Sequence, residues 1–272
     1  MNPKIERGTL LTDTDEQRMR ETAIAQVESN PERCLSEYTR RFGNVLNADN
    51  AATLFDEYNR NPAKYRVAVH PAAQWIRDEL FRRALRERAE AGHNRVVFTA
   101  GGNASGKTST VAASGAETGA QIVLDSTFSN AEHAGRLVDD ALRAGKAVTV
   151  HYVNRPLDEA LKGMIERAGS EGRVVTVDQL IRSQRGAAQT VRKLWDQYRA
   201  DPRVAIHFLD NAADETRQGG IETATPRDYT ESRRLLDDLL DREYQARRIS
   251  EATYRRIRGS GGEPGEPPEG DD

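Results

Sequence analysis

The sequence predicts an α/β protein: a small parallel sheet in a three-layer arrangement, with helical extensions before and after it. Three observations carry that reading. From residue 94 onward, short apolar runs alternate with stretches of helical periodicity, the pattern of parallel strands covered by helices. In the first ninety residues and beyond the last apolar run, helical spacing dominates. Between the run Val96-Val97-Phe98 and the helix-compatible stretch Thr108-Ser109-Thr110-Val111-Ala112-Ala113 stands a glycine-rich octamer.

That octamer, Gly101-Gly102-Asn103-Ala104-Ser105-Gly106-Lys107-Thr108, fits the phosphate-binding pattern G-x-x-x-x-G-K-[ST] without a mismatch. Each part has a physical task. Glycines allow successive backbone N–H groups to turn toward a phosphate, and Lys107 adds a mobile cation near the β and γ groups. Thr108 offers a hydroxyl to Mg²⁺, and Ser109 continues into a helix whose N-terminal partial charge faces the anion. A buried strand before the loop and a helix after it are the context the motif requires. The expected ligand is ATP or GTP with Mg²⁺, on a P-loop kinase-like core.

The elements follow in chain order. Asn30-Pro31-Glu32 reads as a helix start, with Asn30 as N-cap and Pro31 at the first helical position, and Gly43 as its stop. A second helix is expected around Ala51 to Arg60. A third runs from about Pro71 to Ala91, with Ile76, Leu80 and Ala84 in line. Strands are expected over Arg95 to Ala100, Gln121 to Asp125, Ala147 to Val153 and Val204 to Leu209. Helices fill the gaps at Ala131 to Ala144, Leu157 to Ala168 and Val177 to Tyr198, while Val174-Val175 reads as a short strand or an extended connector. Asn211 to Thr223 is polar and glycine-containing, so a loop is expected. Thr225-Pro226 opens a helix whose apolar face is Leu235, Leu236, Leu239, Leu240 and Tyr244, and Ser250 caps a last helix ending at Gly259. The division is therefore a helical N-terminal region (1–92), a nucleotide-binding core (93–212) with a helical lid at about 155–200, a C-terminal helical extension (213–258) and an acidic tail (259–272). The tail has no large apolar side chain, and disorder is expected there.

Composition excludes several classes. Charged residues are 31% of the chain but the net charge is only −3, so no global positive field points to nucleic acid, and a polynucleotide acceptor is disfavoured. Cys34 is the only cysteine, which excludes an internal disulfide and any cysteine-built zinc site. The five histidines, His70, His93, His133, His151 and His207, lack metal-ligand spacing. The start lacks the apolar core of a signal peptide and no stretch has the length of a membrane span, so the expectation is a soluble cytoplasmic protein without a membrane partner.

Outside the octamer, two features point to phosphoryl chemistry. Asp125 ends an apolar run, and in open parallel sheets the strand C-termini meet at the ligand crevice. Asp125 could therefore hold Mg²⁺ through water or accept a proton from an attacking hydroxyl, or simply cap the turn from Ser126 to Asn130. The stretch from 155 to 185 supplies Arg155, Arg167, Arg173, Arg182 and Arg185, whose guanidinium groups suit a transferring phosphoryl group on a mobile lid. Asn211, after the last core strand, is placed to contact the nucleotide's base.

Phe98 to Ser109, the strand end Asp125-Ser126-Thr127, the pair Glu166-Arg167, and Arg182-Ser183-Gln184-Arg185 with the helix after it resemble the zeta-toxin family of P-loop kinases in order and spacing, over about residues 70 to 212. The resemblance implies a small parallel sheet with a helical lid, and ATP- or GTP-dependent, Mg²⁺-dependent phosphorylation of a sugar hydroxyl on a UDP-linked amino sugar. It gives Lys107 and Thr108 to the phosphates and metal, makes Arg167 and Arg182 the two lid arginines, and puts Asp125 at the acceptor site. An antitoxin-like protein partner is not shown by the sequence. The family normally inserts a strand and helices between the loop and the acidic strand end, and that strand carries its proposed catalytic base. Only residues 108–124 separate Lys107 from Asp125 here. Either Asp125 serves as base in a reduced site or the acceptor chemistry differs. The leading expectation is a kinase with catalytic Lys107, Asp125, Arg167 and Arg182, and with Thr108 and Asp125 at the metal. The alternative is a nucleotide-dependent switch or NTPase module that phosphorylates no acceptor.

Overall fold

The computed structural model of the chain describes residues 4–8, 10–88, 93–113, 115, 118–170, 174–212 and 215–259. The expected acidic tail beyond Gly259, together with Arg173, lies outside them, and the helix drawn to Ala91 already ends at Arg86. Asp13 caps α1 (Thr14–Ser29) by accepting from the Glu16 N–H. Asn30 ends α1 and occupies the N-cap position of α2 (Pro31–Phe42) as expected, but caps it through its carbonyl, which accepts from the Cys34 N–H, and not through its side chain. Pro31 does occupy the first turn, and Gly43, at φ +62°, ends the helix.

A two-residue strand, β1 (Val45–Leu46), follows. The helix expected around Ala51 to Arg60 is broken into α3 (Ala48–Ala52) and α4 (Asp56–Arg60). Asn47 starts the first of these by accepting from two backbone N–H groups. The helix expected from Pro71 instead begins nine residues earlier, as α5 (Pro62–Arg86). Asn61 caps it and Pro62 takes the first position, so Pro71 is left in the interior. The continuous buried stripe Ala68, Val69, Ala72, Ala73 and Ile76 runs across Pro71, and its packing outweighs the loss of one backbone hydrogen bond.

The core strands are β2 (Arg95–Ala100), β3 (Ile122–Asp125), β4 (Ala147–Asn154) and β5 (Val204–Ala212), and they match the expected runs within a few residues. Asn211 to Thr223 is not simply a loop. The chain forms β6 (Glu215–Gly219), paired antiparallel with β5, and then a 3₁₀ turn (Ile221–Ala224). The strand order is β1-β3-β2-β4-β5-β6, and all other pairs are parallel, so the sheet is mixed rather than purely parallel. The phosphate-loop strand β2 lies centrally, between β3 and β4, and β1 closes the edge beyond β3. Strand residues alternate between faces. Val96, Phe98, Ala100, Ile122, Leu124, Val148, Val150 and Tyr152 meet α1, α5, α7 (Ala131–Arg143) and α9 (Val177–Tyr198) in the main core. The opposite face carries Val97 and Val123, packed with Ala120 and Val45, and also Thr99, Asp125 and His151.

Helices α8 (Leu157–Ser170), α9, α10 (Tyr229–Gln245) and α11 (Glu251–Arg258) form a second core with the loop residue Ala104. Val174-Val175 is an extended connector, and α9 opens with a complete capping box from Thr176 and Gln179. Asp228, not Thr225, caps α10, because its carboxylate accepts from the Glu231 N–H. Of the apolar face expected on α10, Leu236 and Leu240 are buried while Leu235 and Tyr244 are exposed. Ser250 and Gly259 bound α11 as expected.

His151 is buried on β4 and stacks on His207 of β5 at a centroid distance of 4.9 Å. Burial, then the neighbouring His207 and Arg95, push its pKa down to about 4 from 6.5. A histidine held neutral in the fold takes up its proton more readily when unfolded. Its contribution to stability is present above pH 6.5 and lost as pH falls toward 4, by up to about 3 kcal/mol. Urea titrations between pH 7 and 4 are expected to show this loss, and a His151→Gln variant should have a flatter stability profile across that window. Identical profiles for the two chains would contradict it.

Candidate nucleotide site

The loop leaves β2 at Ala100 and is shaped by three positive backbone angles: φ +143° at Gly101, +56° at Ala104 and +79° at Gly106. Such angles let backbone N–H groups turn toward an anion-binding concavity. The glycines are also required by contact. A Cβ on Gly101 would stand 2.5 Å from the Val153 carbonyl oxygen, and one on Gly106 would stand 2.5 Å from Asn211 Nδ2. The Gly101 N–H donates to the Thr127 carbonyl at 3.0 Å, tying the loop to the segment after β3. Lys107, the first residue of α6 (Lys107–Ala113), folds back so that Nζ donates to the Gly101 and Gly102 carbonyls at 2.7 and 3.0 Å.

Asp125, at the C-terminal end of β3, is buried. Its Oδ1 accepts from Thr99 Oγ1 at 2.6 Å, and its Oδ2 accepts from Thr108 Oγ1 at 3.0 Å. A third donor reaches it from the far edge of the sheet, Asn47 Nδ2 at 2.7 Å from Oδ2. Asp125 thus faces Thr99, Thr108 and Asn47, and within the Ser126 to Asn130 turn it is Ser126 Oγ that accepts, from the Phe128 N–H, while Asn130 caps α7. Thr108 and Asp125, oxygen ligands at contact distance beside the loop, are a donor set suited to a hard divalent cation.

Two helices roof the loop. Ser183 Oγ accepts from the Asn103 N–H at 3.0 Å, and Gln184 Nε2 donates to the Asn103 carbonyl at 3.2 Å. Gly102 is required for this approach, since a Cβ there would meet Gln184 at 2.6 Å. Ala104 packs into the second core, and Gly163 of α8 lies above it. Arg155 sits between these elements, with Nη1 3.8 Å from the Cβ positions of both Gly106 and Gly163. Its guanidinium is thus beside the loop. Arg227, from the segment before α10, donates to the Arg155 carbonyl at 3.1 Å.

The expected site residues fall into three groups. Gly101 to Thr108 and Asp125 are brought together, with Ser109 donating to the Gly106 carbonyl at 3.0 Å. Asn211 touches the loop, but its amide donates to the Ser105 carbonyl at 3.0 Å, so it holds loop backbone in this conformation. The lid arginines sit farther along their helices. Arg167 is exposed on α8, and Arg182 is half-buried on α9, where its charge acts on Asp178 and Tyr229. Among the described residues no cluster of three or more His, Cys, Asp or Glu could hold a metal ion, and no helix is long and apolar enough to cross a membrane. Sequence reasoning did not single out Asn47 or Gln184, nor rank Arg155 above its neighbours. Gln184 lay inside a motif read for its arginines, whereas nothing local marks Asn47.

Residues 111–220 match the Zeta toxin family model, beginning just after the phosphate loop, and so bear out the zeta-toxin resemblance drawn from the residues. No curated protein matches the chain. Among solved structures, the AvrRxo1-ORF1:ORF2 complex with ATP is 16% identical, covers 75% of this chain and 89% of its own, and has a TM-score of 0.44. The native form of that complex is 16% identical, with 74% and 88% coverage and a TM-score of 0.41. The form with sulphate ions is 12% identical, with 90% and 86% coverage and a TM-score of 0.44.

Proposed function

We infer that this chain, with its Zeta toxin match over residues 111–220, is an ATP- or GTP-dependent kinase that transfers the γ-phosphate to a hydroxyl of a small-molecule acceptor. The observation that carries the reading is the junction of Lys107, Thr108 and Asp125 at the C-terminal ends of β2 and β3, beneath α8 and α9. Main-chain N–H groups of the loop hold the phosphates, apart from those of Gly101, Asn103 and Ser105, which donate to Thr127, Ser183 and Gly102. Lys107 has three donors, so it can keep loop carbonyls while turning one N–H toward the β and γ groups. Thr108 and Asp125 would hold Mg²⁺, with Asp125 orienting the Thr108 hydroxyl, and the ion would supply neutralisation of charge on the phosphoryl oxygens. Asp125 already accepts three side-chain hydrogen bonds, which favours this orienting role over that of base. Arg155 lies beside the loop, and Arg167 and Arg182 are carried on the roof helices, where closure would bring them to the transferring group.

The acceptor hydroxyl oxygen bonds to the γ-phosphorus as the bond to the β–γ bridging oxygen breaks. The nucleoside diphosphate leaves, and the hydroxyl proton passes to solvent or to a base on the acceptor side. A UDP-linked amino sugar is the acceptor class the family resemblance favours. Incubating the chain with Mg-ATP or Mg-GTP and a pool of nucleotide sugars, nucleosides and small alcohols tests the reading by mass spectrometry. One acceptor should gain the mass of one phosphate. Phosphate release that is independent of any acceptor would replace the kinase with a nucleotide-driven switch or NTPase.

A further inference from the structure

The N-terminal region does more than pack beside the sheet. Strand β1 pairs in parallel with β3, Val45 opposite Val123 and Leu46 opposite Leu124, so its C-terminal end opens on the same side as the phosphate loop. The residue that follows, Asn47, reaches across to Asp125 at 2.7 Å. Its orientation is fixed from every direction. Oδ1 accepts from the Asp49 and Asn50 N–H groups at 2.7 and 3.3 Å, which leaves Nδ2 as the end that faces Asp125. The Asn47 N–H donates to Tyr38 Oη at 2.8 Å, and that hydroxyl, on a fully buried ring, donates to the Val45 carbonyl at 2.8 Å. A rigid path therefore runs from α2 through Tyr38 and Asn47 to the carboxylate that pairs with Thr108.

We propose that Asn47 is a positioning residue for the metal site: it holds the Asp125 carboxylate in the rotamer that orients Thr108 toward the divalent ion. This rests on the kinase reading and extends the functional centre from the core into the first fifty residues. A partner that fixes a metal-directed oxygen from outside typically changes metal affinity by roughly tenfold to a hundredfold.

The test uses the full chain and calorimetry with ATP, in Mg²⁺ and in EDTA. Asn47→Ser keeps a helix-capping oxygen but removes the donor to Asp125. Asn47→Asp keeps the cap and sets a second carboxylate against the first. For Asn47→Ser the melting temperature should stay near that of the parent and affinity for metal-free ATP should be unchanged, whereas the facing carboxylates of Asn47→Asp should lower the melting temperature in EDTA. The gain in affinity that Mg²⁺ confers should fall roughly tenfold or more in Asn47→Ser, in line with that range. If Asn47→Ser retains the parent's full Mg²⁺ effect, or loses metal-free and metal-bound affinity together, the positioning role is overturned. A parent chain that binds no nucleotide at all would instead remove the kinase reading itself.

Discussion

Lys107→Ala is expected to lower kcat/KM for phosphoryl transfer by at least about a hundredfold to a thousandfold, the cost of removing one donor aimed at developing charge in a preorganised site. The fold should survive. Lys107 is the first residue of a helix, and its ammonium donates to the Gly101 and Gly102 carbonyls, acceptors that water can serve in its place. Alanine also has the highest helix propensity. The variant should therefore melt within a few degrees of the parent while losing turnover and most of its triphosphate affinity. Turnover equal to the parent's would show that the loop cation plays no part.

Gly101→Ala should act on the cradle itself. The new methyl would lie 2.5 Å from the Val153 carbonyl oxygen and 2.9 Å from Ser105 Oγ, and a backbone at φ +143° is closed to L side chains. The obstruction is backbone on the adjacent strand β4, so no side-chain rotation relieves it. Either the loop moves off β4, straining the Gly101 N–H bond to Thr127, or β4 itself shifts. Nucleotide binding should be lost, with a destabilisation of about 2 kcal/mol or more by chemical denaturation, in the range of strained-backbone substitutions. A variant with parental stability and parental ATP affinity would mean that the loop does not adopt this conformation.

The parts of the molecule that could be read from residues alone are those whose signals are local. The octamer carries its geometry in consecutive residues, and the apolar runs at 95–100, 122–125 and 147–153 are buried on both faces of the sheet, so they read as continuous hydrophobic strands. Asp125 could be placed because it ends such a run. What escaped depends on partners remote in sequence. Val45-Leu46 is too short to show any periodicity and is a strand only because β3 offers an open edge. Asn47 gains its role from a carboxylate 78 positions away. Pro71 read as a helix start because the packing that carries α5 through it is tertiary. The strand at Glu215–Gly219 is exposed and polar, so it has no alternation of burial to reveal it and forms by pairing with β5. The roof over the loop was visible as arginines, but the contacts to Asn103 come from the two residues between them, Ser183 and Gln184.

On the proposed function, main-chain amides of the loop from Gly101 to Thr108, with Lys107, grip a triphosphate. Titration calorimetry of the intact chain with Mg-ATP and Mg-GTP tests it most directly. One nucleotide per chain should bind with measurable heat, and Lys107→Ala should remove most of that affinity. No heat from either nucleotide would contradict the account.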